Sequence, residues 1–156
     1  MNKVLINPNY IRAFLSPIDL CSNMYQDDCV LDYIENEQDL KTMFEVLLKP
    51  EYSVFDDSSQ QTLKENLKYF LNQKTNYLSE VLEDLQYPFG DFYYVEFFRL
   101  LWEVLFNGDD CSLSEAQKYK VKVKEIKGRA FSYKSKEMVS LQDRTKQLYK
   151  LLIISH

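Results

Sequence analysis

The clearest apolar periodicity in this chain begins at Asn36. Leu40, Met43, Phe44, Leu47 and Leu48 recur at helical spacing, so one face of a helix is apolar. Asn36 reads as its N-cap, and Glu37 and Asp39 sit at the electropositive helix start. Pro50 is expected to end the run. After Asp56-Asp57, Ser58 or Ser59 reads as the next cap. Leu63, Leu67, Phe70, Leu71, Leu78, Val81, Leu82 and Leu85 then extend one stripe almost to Pro88. Lys74 falls where an apolar residue is due, which predicts two helices, or one bent helix, with the break near residues 72–76. Asp91 reads as a cap for Phe92 to Phe106, which is apolar on nearly all sides, as a central buried helix must be. Only Glu96, Arg99 and Glu103 interrupt it, at i, i+3 and i+7. That spacing makes them the solvent edge of the helix, with Arg99 pairing Glu96 or Glu103.

The flanking regions read less sharply. Ile11 to Leu15 form a helical turn before Ser16-Pro17, and a second short helix follows through Met24. Asn107-Gly108-Asp109-Asp110 is a turn. Ser114 with Gln117 fits a capping box, but Tyr119-Lys120-Val121-Lys122-Val123-Lys124 alternates with period two, which is a strand pattern. Residues 118–126 therefore fit both helix and strand. A last helix is expected from about Ser135, on Met138, Leu141, Leu148, Leu151 and Leu152. The fold class is all-α, a single-domain helical bundle over residues 1–156, with one short strand or hairpin near residues 118–133. Only 3 glycines and 4 prolines agree with this, because sandwiches and barrels draw on both for their turns.

Charge adds a division that hydropathy does not show. Residues 1–110 carry 20 Asp/Glu against 8 Lys/Arg, and residues 111–156 carry 4 against 11. The two parts differ in sign on one small domain, which points to meetings with charged surfaces. The absence of a signal-type apolar run at the start and of any membrane-length segment gives the expectation of a cytoplasmic protein. Cys21, Cys29 and Cys111 form no close-spaced pair and read as reduced thiols.

The chemistry-bearing residues point away from catalysis. The single histidine is His156, so a histidine-based nucleophile pair would depend on the last residue of the chain. The glycines are isolated, which excludes Gly-rich phosphate loops. Glu-x-x-His pairs and calcium loops are lacking. The expectation is no enzyme, no metal and no cofactor. What the sequence offers are acidic clusters beside aromatics: Tyr25, Asp27, Asp28, Asp32, Tyr33 and Glu35; Asp56 and Asp57; Glu80, Glu83 and Asp84. Such a face suits a basic protein partner, with tyrosines as anchors. Lys118, Lys120, Lys122, Lys124, Lys127 and Arg129, interleaved with Tyr119 and followed by Phe131 and Tyr133, carry the alternative, phosphate contact with aromatic stacking. The acidic balance of the whole chain, pI ≈ 5.0, argues against nucleic acid as the main ligand.

The profile of a small, acidic, tyrosine-rich helical chain, with the stretch Gly90-Asp91-Phe92-Tyr93-Tyr94-Val95-Glu96-Phe97-Phe98-Arg99-Leu100-Leu101-Trp102-Glu103, resembles the immunity proteins of bacterial polymorphic toxin systems, above all those of contact-dependent growth inhibition. The resemblance implies protection of the producing cell by tight binding to a cognate toxin, often a basic nuclease. No membrane partner is implied. An acidic mimic of nucleic acid that blocks some other nucleic-acid-binding machine fits the same charge pattern.

Overall fold

A computed structural model of the chain describes residues 3–23, 29–73, 77–84, 94–114 and 117–154. Helices dominate it: α1 (Asn9–Phe14), α2 (Ser16–Asn23), α3 (Glu37–Met43), α4 (Lys49–Val54), α5 (Asp57–Leu71), α6 (Tyr77–Asp84), α7 (Tyr94–Phe106) and α8 (Leu141–Ile154), with a 3₁₀ turn at Val30–Tyr33. Two three-residue strands, β1 (Val4–Ile6) and β2 (Tyr119–Val121), pair in parallel, with Leu5 opposite Lys120. The expected all-α class with one short strand therefore holds. The strand's partner lies at the start of the chain rather than in a hairpin.

α7 is central because its sequence leaves it no other place. Phe97, Phe98, Leu100, Leu101, Trp102, Val104, Leu105 and Phe106 are all buried, and the helix packs against α3, α4, α5 and α6. Phe97 meets Phe44 edge-on, with ring centroids 4.9 Å apart. Glu96, Arg99 and Glu103 form the exposed edge, as their spacing predicts. The pairing differs: Glu103 takes Lys41 of α3 at 3.2 Å, a cross-helix bridge in place of an i, i+4 pair with Arg99. Asn107 and Gly108, both at positive φ, end the helix in the conformation that glycine favours. The Trp102 indole N–H donates to the Asp109 carbonyl at 2.7 Å.

Asn36 caps α3 as expected, its side chain accepting from the Asp39 N–H at 2.9 Å. Pro50 does not end the run. Phe44–Leu48 form a π turn, in which the Lys49 N–H reaches back to the Phe44 carbonyl, and Pro50 falls in the first turn of α4. Proline is tolerated there because its missing N–H has no intrahelical duty. The cap of α5 is Asp56, accepting from the Ser59 N–H at 2.8 Å, and not Ser58 or Ser59. A carboxylate one turn earlier satisfies the orphan N–H and leaves Ser59 Oγ for the Ser132 N–H at 2.8 Å. Ser114 and Gln117 make a backbone turn at 3.2 Å with no helix among the described residues there. α8 begins at Leu141, with Ser140 Oγ accepting from the Asp143 N–H at 3.2 Å, so the six residues from Ser135 stay outside the helix. Cys29 and Cys111 pack as half-buried thiols against the core. The expected cap Asp91 lies outside the described residues.

Candidate binding surfaces

Residues 117–134 form a strap across the outside of the bundle, and four devices fix its course. At one end β2 pairs with β1, the Val4 N–H donating to Lys118 O and the Lys122 N–H to Ile6 O, each at 2.8 Å. A chain of asparagine amides then holds the bend. Asn66, fully buried on α5, donates to Thr62 O and accepts from the Asn7 N–H at 2.7 Å. Asn7 and Asn9 both donate their side-chain N–H to the Lys124 carbonyl, at 2.9 and 2.7 Å. Phe131 is the third device: its ring stacks on Phe55 at 4.6 Å and meets Phe14 edge-on at 6.4 Å. Last, the Asp56 N–H donates to Ser132 O and the Lys134 N–H to Val54 O. Because each device uses the backbone or an apolar ring, the charged side chains between them are left to solvent.

Lys118, Lys120, Lys122, Lys124, Lys127 and Arg129 are all exposed. None of the six forms an ion pair with a described acid; the cations that do include Lys41 with Glu103, Lys64 with Asp109 and Arg144 with Glu51. Among the described residues, the basic segment is thus not held against the acidic part of the chain through ion pairs. Beside it lies a groove of about 540 Å³ with Leu5, Tyr10 and Ile126 in its lining and Lys122, Lys124 and Lys127 among its polar groups.

At the far end of the strap a second groove, of about 390 Å³, is lined by Glu51, Phe55, Arg129, Phe131 and Tyr133. Behind it Arg144, only 4% exposed, donates to the carbonyls of Val139, at 3.1 Å, and Leu47. Its guanidinium stands 3.7 Å from Glu51. Tyr133 O–H donates to Glu51 Oε1 at 3.4 Å, whereas Glu51 Oε2 is buried without a hydrogen bond. Burial pushes the Glu51 carboxyl above its ordinary range, against the opposing pull of Arg144. Burial and then the nearby Glu51 charge push the Tyr133 phenol up as well. A carboxyl raised in a cleft is a common mark of acid catalysis, but here it faces a guanidinium whose donors go to backbone carbonyls. The cluster ties α8 to the π turn and to α4. No group of three or more acids, cysteines or histidines able to hold a metal occurs among the described residues.

The acidic residues singled out from sequence divide by role. Asp32 is exposed on the 3₁₀ turn. Tyr33, half-buried beside it, meets Tyr149 of α8 edge-on at 5.5 Å. Glu35 is exposed, and its N–H donates to Asp39 Oδ2 at 3.0 Å. Asp56 is a structural cap, while Asp57 and Glu80 face solvent. Their elements have different neighbours: the 3₁₀ turn packs on α8, Asp56 on the strap, and α6 on α7. Tyr25, Asp27 and Asp28 lie outside the described residues, as do the side chains of Glu83 and Asp84. Exposed Glu37, Glu45 and Glu96 extend the acidic surface beyond the clusters read from sequence. The signal for these three was available, since each falls on the polar side of an apolar stripe. Among the described residues, no helix is long and apolar enough to cross a membrane.

No protein-family model matches the chain, and neither a curated protein nor a solved structure matches it.

Proposed function

We propose that the chain is an immunity-type binding protein that neutralises a cognate toxin, a basic nuclease domain, by stoichiometric occlusion in the bacterial cytoplasm. The observation that carries this reading is the unspent acidic surface. Asp32, Glu37, Glu45, Asp57, Glu80 and Glu96 are exposed and form no ion pair among the described residues. Acids left free in this way attract a cationic cleft at long range and raise the association rate. Tyr33, braced by Tyr149, is a rigid aromatic beside Asp32 of the kind that anchors interfaces at low entropic cost. Occlusion needs no reacting group, only a surface that stays in place, and α3 joined to α7 by Lys41–Glu103 provides one.

The test is protection of cells expressing the proposed toxin, sought first as the C-terminal domain of the protein encoded immediately upstream. The wild-type chain restores growth, and Asp32→Lys/Glu37→Lys/Glu96→Lys loses protection while keeping its melting temperature. Full protection by the triple variant refutes the acidic face.

The second reading, nucleic-acid binding through residues 118–129, draws on the six exposed cations without acidic partners. Lys122→Glu/Lys124→Glu/Lys127→Glu separates the two: it abolishes oligonucleotide binding under that reading and leaves protection intact under the first.

A further inference from the structure

We propose that the open edge of β2 receives an extended, acidic segment of a protein partner as a third strand. The parity of the ladder leads to this edge. Lys118 O and the Lys122 N–H both bond to β1, and Lys120 lies opposite Leu5 between them. Main-chain groups alternate in direction along a strand, so the N–H and C=O of Tyr119 and Val121 point away from β1. None of these four groups has a hydrogen-bond partner among the described residues. The edge carries no proline and no bulge, and it is accessible: Val121 is 37% exposed and Val123 58%. Unpaired strand edges of this kind template the addition of another strand.

The charge pattern selects the occupant. A second copy of the same strand would set Lys120 and Lys122 beside their counterparts, and like charges across a strand pair repel. An acidic strand meets ammonium groups at alternate positions instead. Past the paired stretch, the groove lined by Leu5, Tyr10 and Ile126 with Lys122, Lys124 and Lys127 repeats the pattern of apolar floor and cationic rim. A nucleic acid satisfies the lysines and its phosphate oxygens can accept from the outward N–H groups, but its backbone has no regular row of donors for the outward C=O groups. A polypeptide satisfies both. The strand edge uses none of the acids on which the proposed function rests, so either can fail without the other.

The probe is a fluorescein-labelled peptide of alternating Glu and Val, titrated with the full chain and followed by anisotropy. Binding is expected to exceed that of a Glu-only peptide of equal charge and of oligothymidine. N-methylation of alternate peptide nitrogens is expected to weaken it at least ~tenfold, which is about 1.4 kcal/mol. Val121→Pro removes an outward N–H without touching a bond to β1, a change tolerated on strand edges, and is expected to lose binding that Val121→Ala keeps. Should Val121→Pro fail to fold, the N-methylated peptide decides the matter with the wild-type chain. Equal binding of the methylated and unmethylated peptides overturns the proposal, and so does preference for oligothymidine.

Discussion

Arg144 and Glu51 meet in an ionic contact whose side chains are only 5% and 19% exposed, and each depends on the other. Arg144 keeps its charge out of water by donating to two backbone carbonyls and facing Glu51 at 3.7 Å. Truncation leaves the carboxylate uncompensated and both carbonyls unfilled, so Arg144→Ala is expected to lower unfolding stability by about 3 kcal/mol in a urea titration. Glu51 acts in the opposite sense. Its folded pKa lies above the unfolded value because burial outweighs the pull of Arg144, so the folded state holds the proton more tightly. The resulting stabilisation is complete below the unfolded carboxyl pKa and is lost as pH rises through the folded one. Glu51→Gln is expected to flatten that part of the stability–pH curve, measured by urea unfolding from pH 4 to 7 (the range beginning just below the ~4.3 of a free Glu). Nothing in the sequence marks either residue. Arg144 stands among Gln142, Asp143 and Lys146, and Glu51 follows Lys49-Pro50, so both read as solvated until the π turn brings the Leu47 carbonyl to Arg144.

At the scale of elements, periodicity found what local packing dictates and missed what distant pairing dictates. The stripes through Leu40–Leu48, Leu63–Phe70 and Phe97–Phe106 were visible because each helix buries one face, and α7 nearly all of its surface. The alternation of Tyr119 to Lys124 was visible too, yet ambiguous. Its partner, Val4–Ile6, is three residues long and more than a hundred positions away, too short to show a period of its own. Pro50 carries a stop signal that the fold overrides for a related reason, since a π turn lets the chain continue through a residue that stops an ordinary helix. Past Lys124 the strap has no periodicity, and Phe131 holds it. Phe131→Ala removes the ring stacked on Phe55 and is expected to cost about 3 kcal/mol. Hydrogen exchange is the sharper readout. The Ser132 and Lys134 amides, bonded to Ser59 Oγ and Val54 O, should lose protection in this variant while those of α7 retain theirs.

For the whole molecule, the opposed charges of residues 1–110 and 111–156 meet in the Arg144–Glu51 contact, while the six cations of the strap and several of the acids stay exposed. The cations of the strap face solvent instead of closing on the acids, and several acids on α3, α6 and α7 have no ionic partner among the described residues. Of the clusters read from sequence, Asp56 went to a helix cap and Tyr33 to a ring contact with α8. Composition cannot distinguish such structural duties from free surface, since capping and docking call for the same side chains. What remains exposed sets the function proposed. The direct test is isothermal titration calorimetry of the purified chain against a catalytically inactive form of the proposed toxin, sought first in the product of the gene immediately upstream. The account predicts a 1:1 complex whose affinity falls as salt rises and which Asp32→Lys/Glu37→Lys/Glu96→Lys weakens at least ~tenfold, about 1.4 kcal/mol. A complex indifferent to salt and to that triple reversal, or no complex at all, contradicts it.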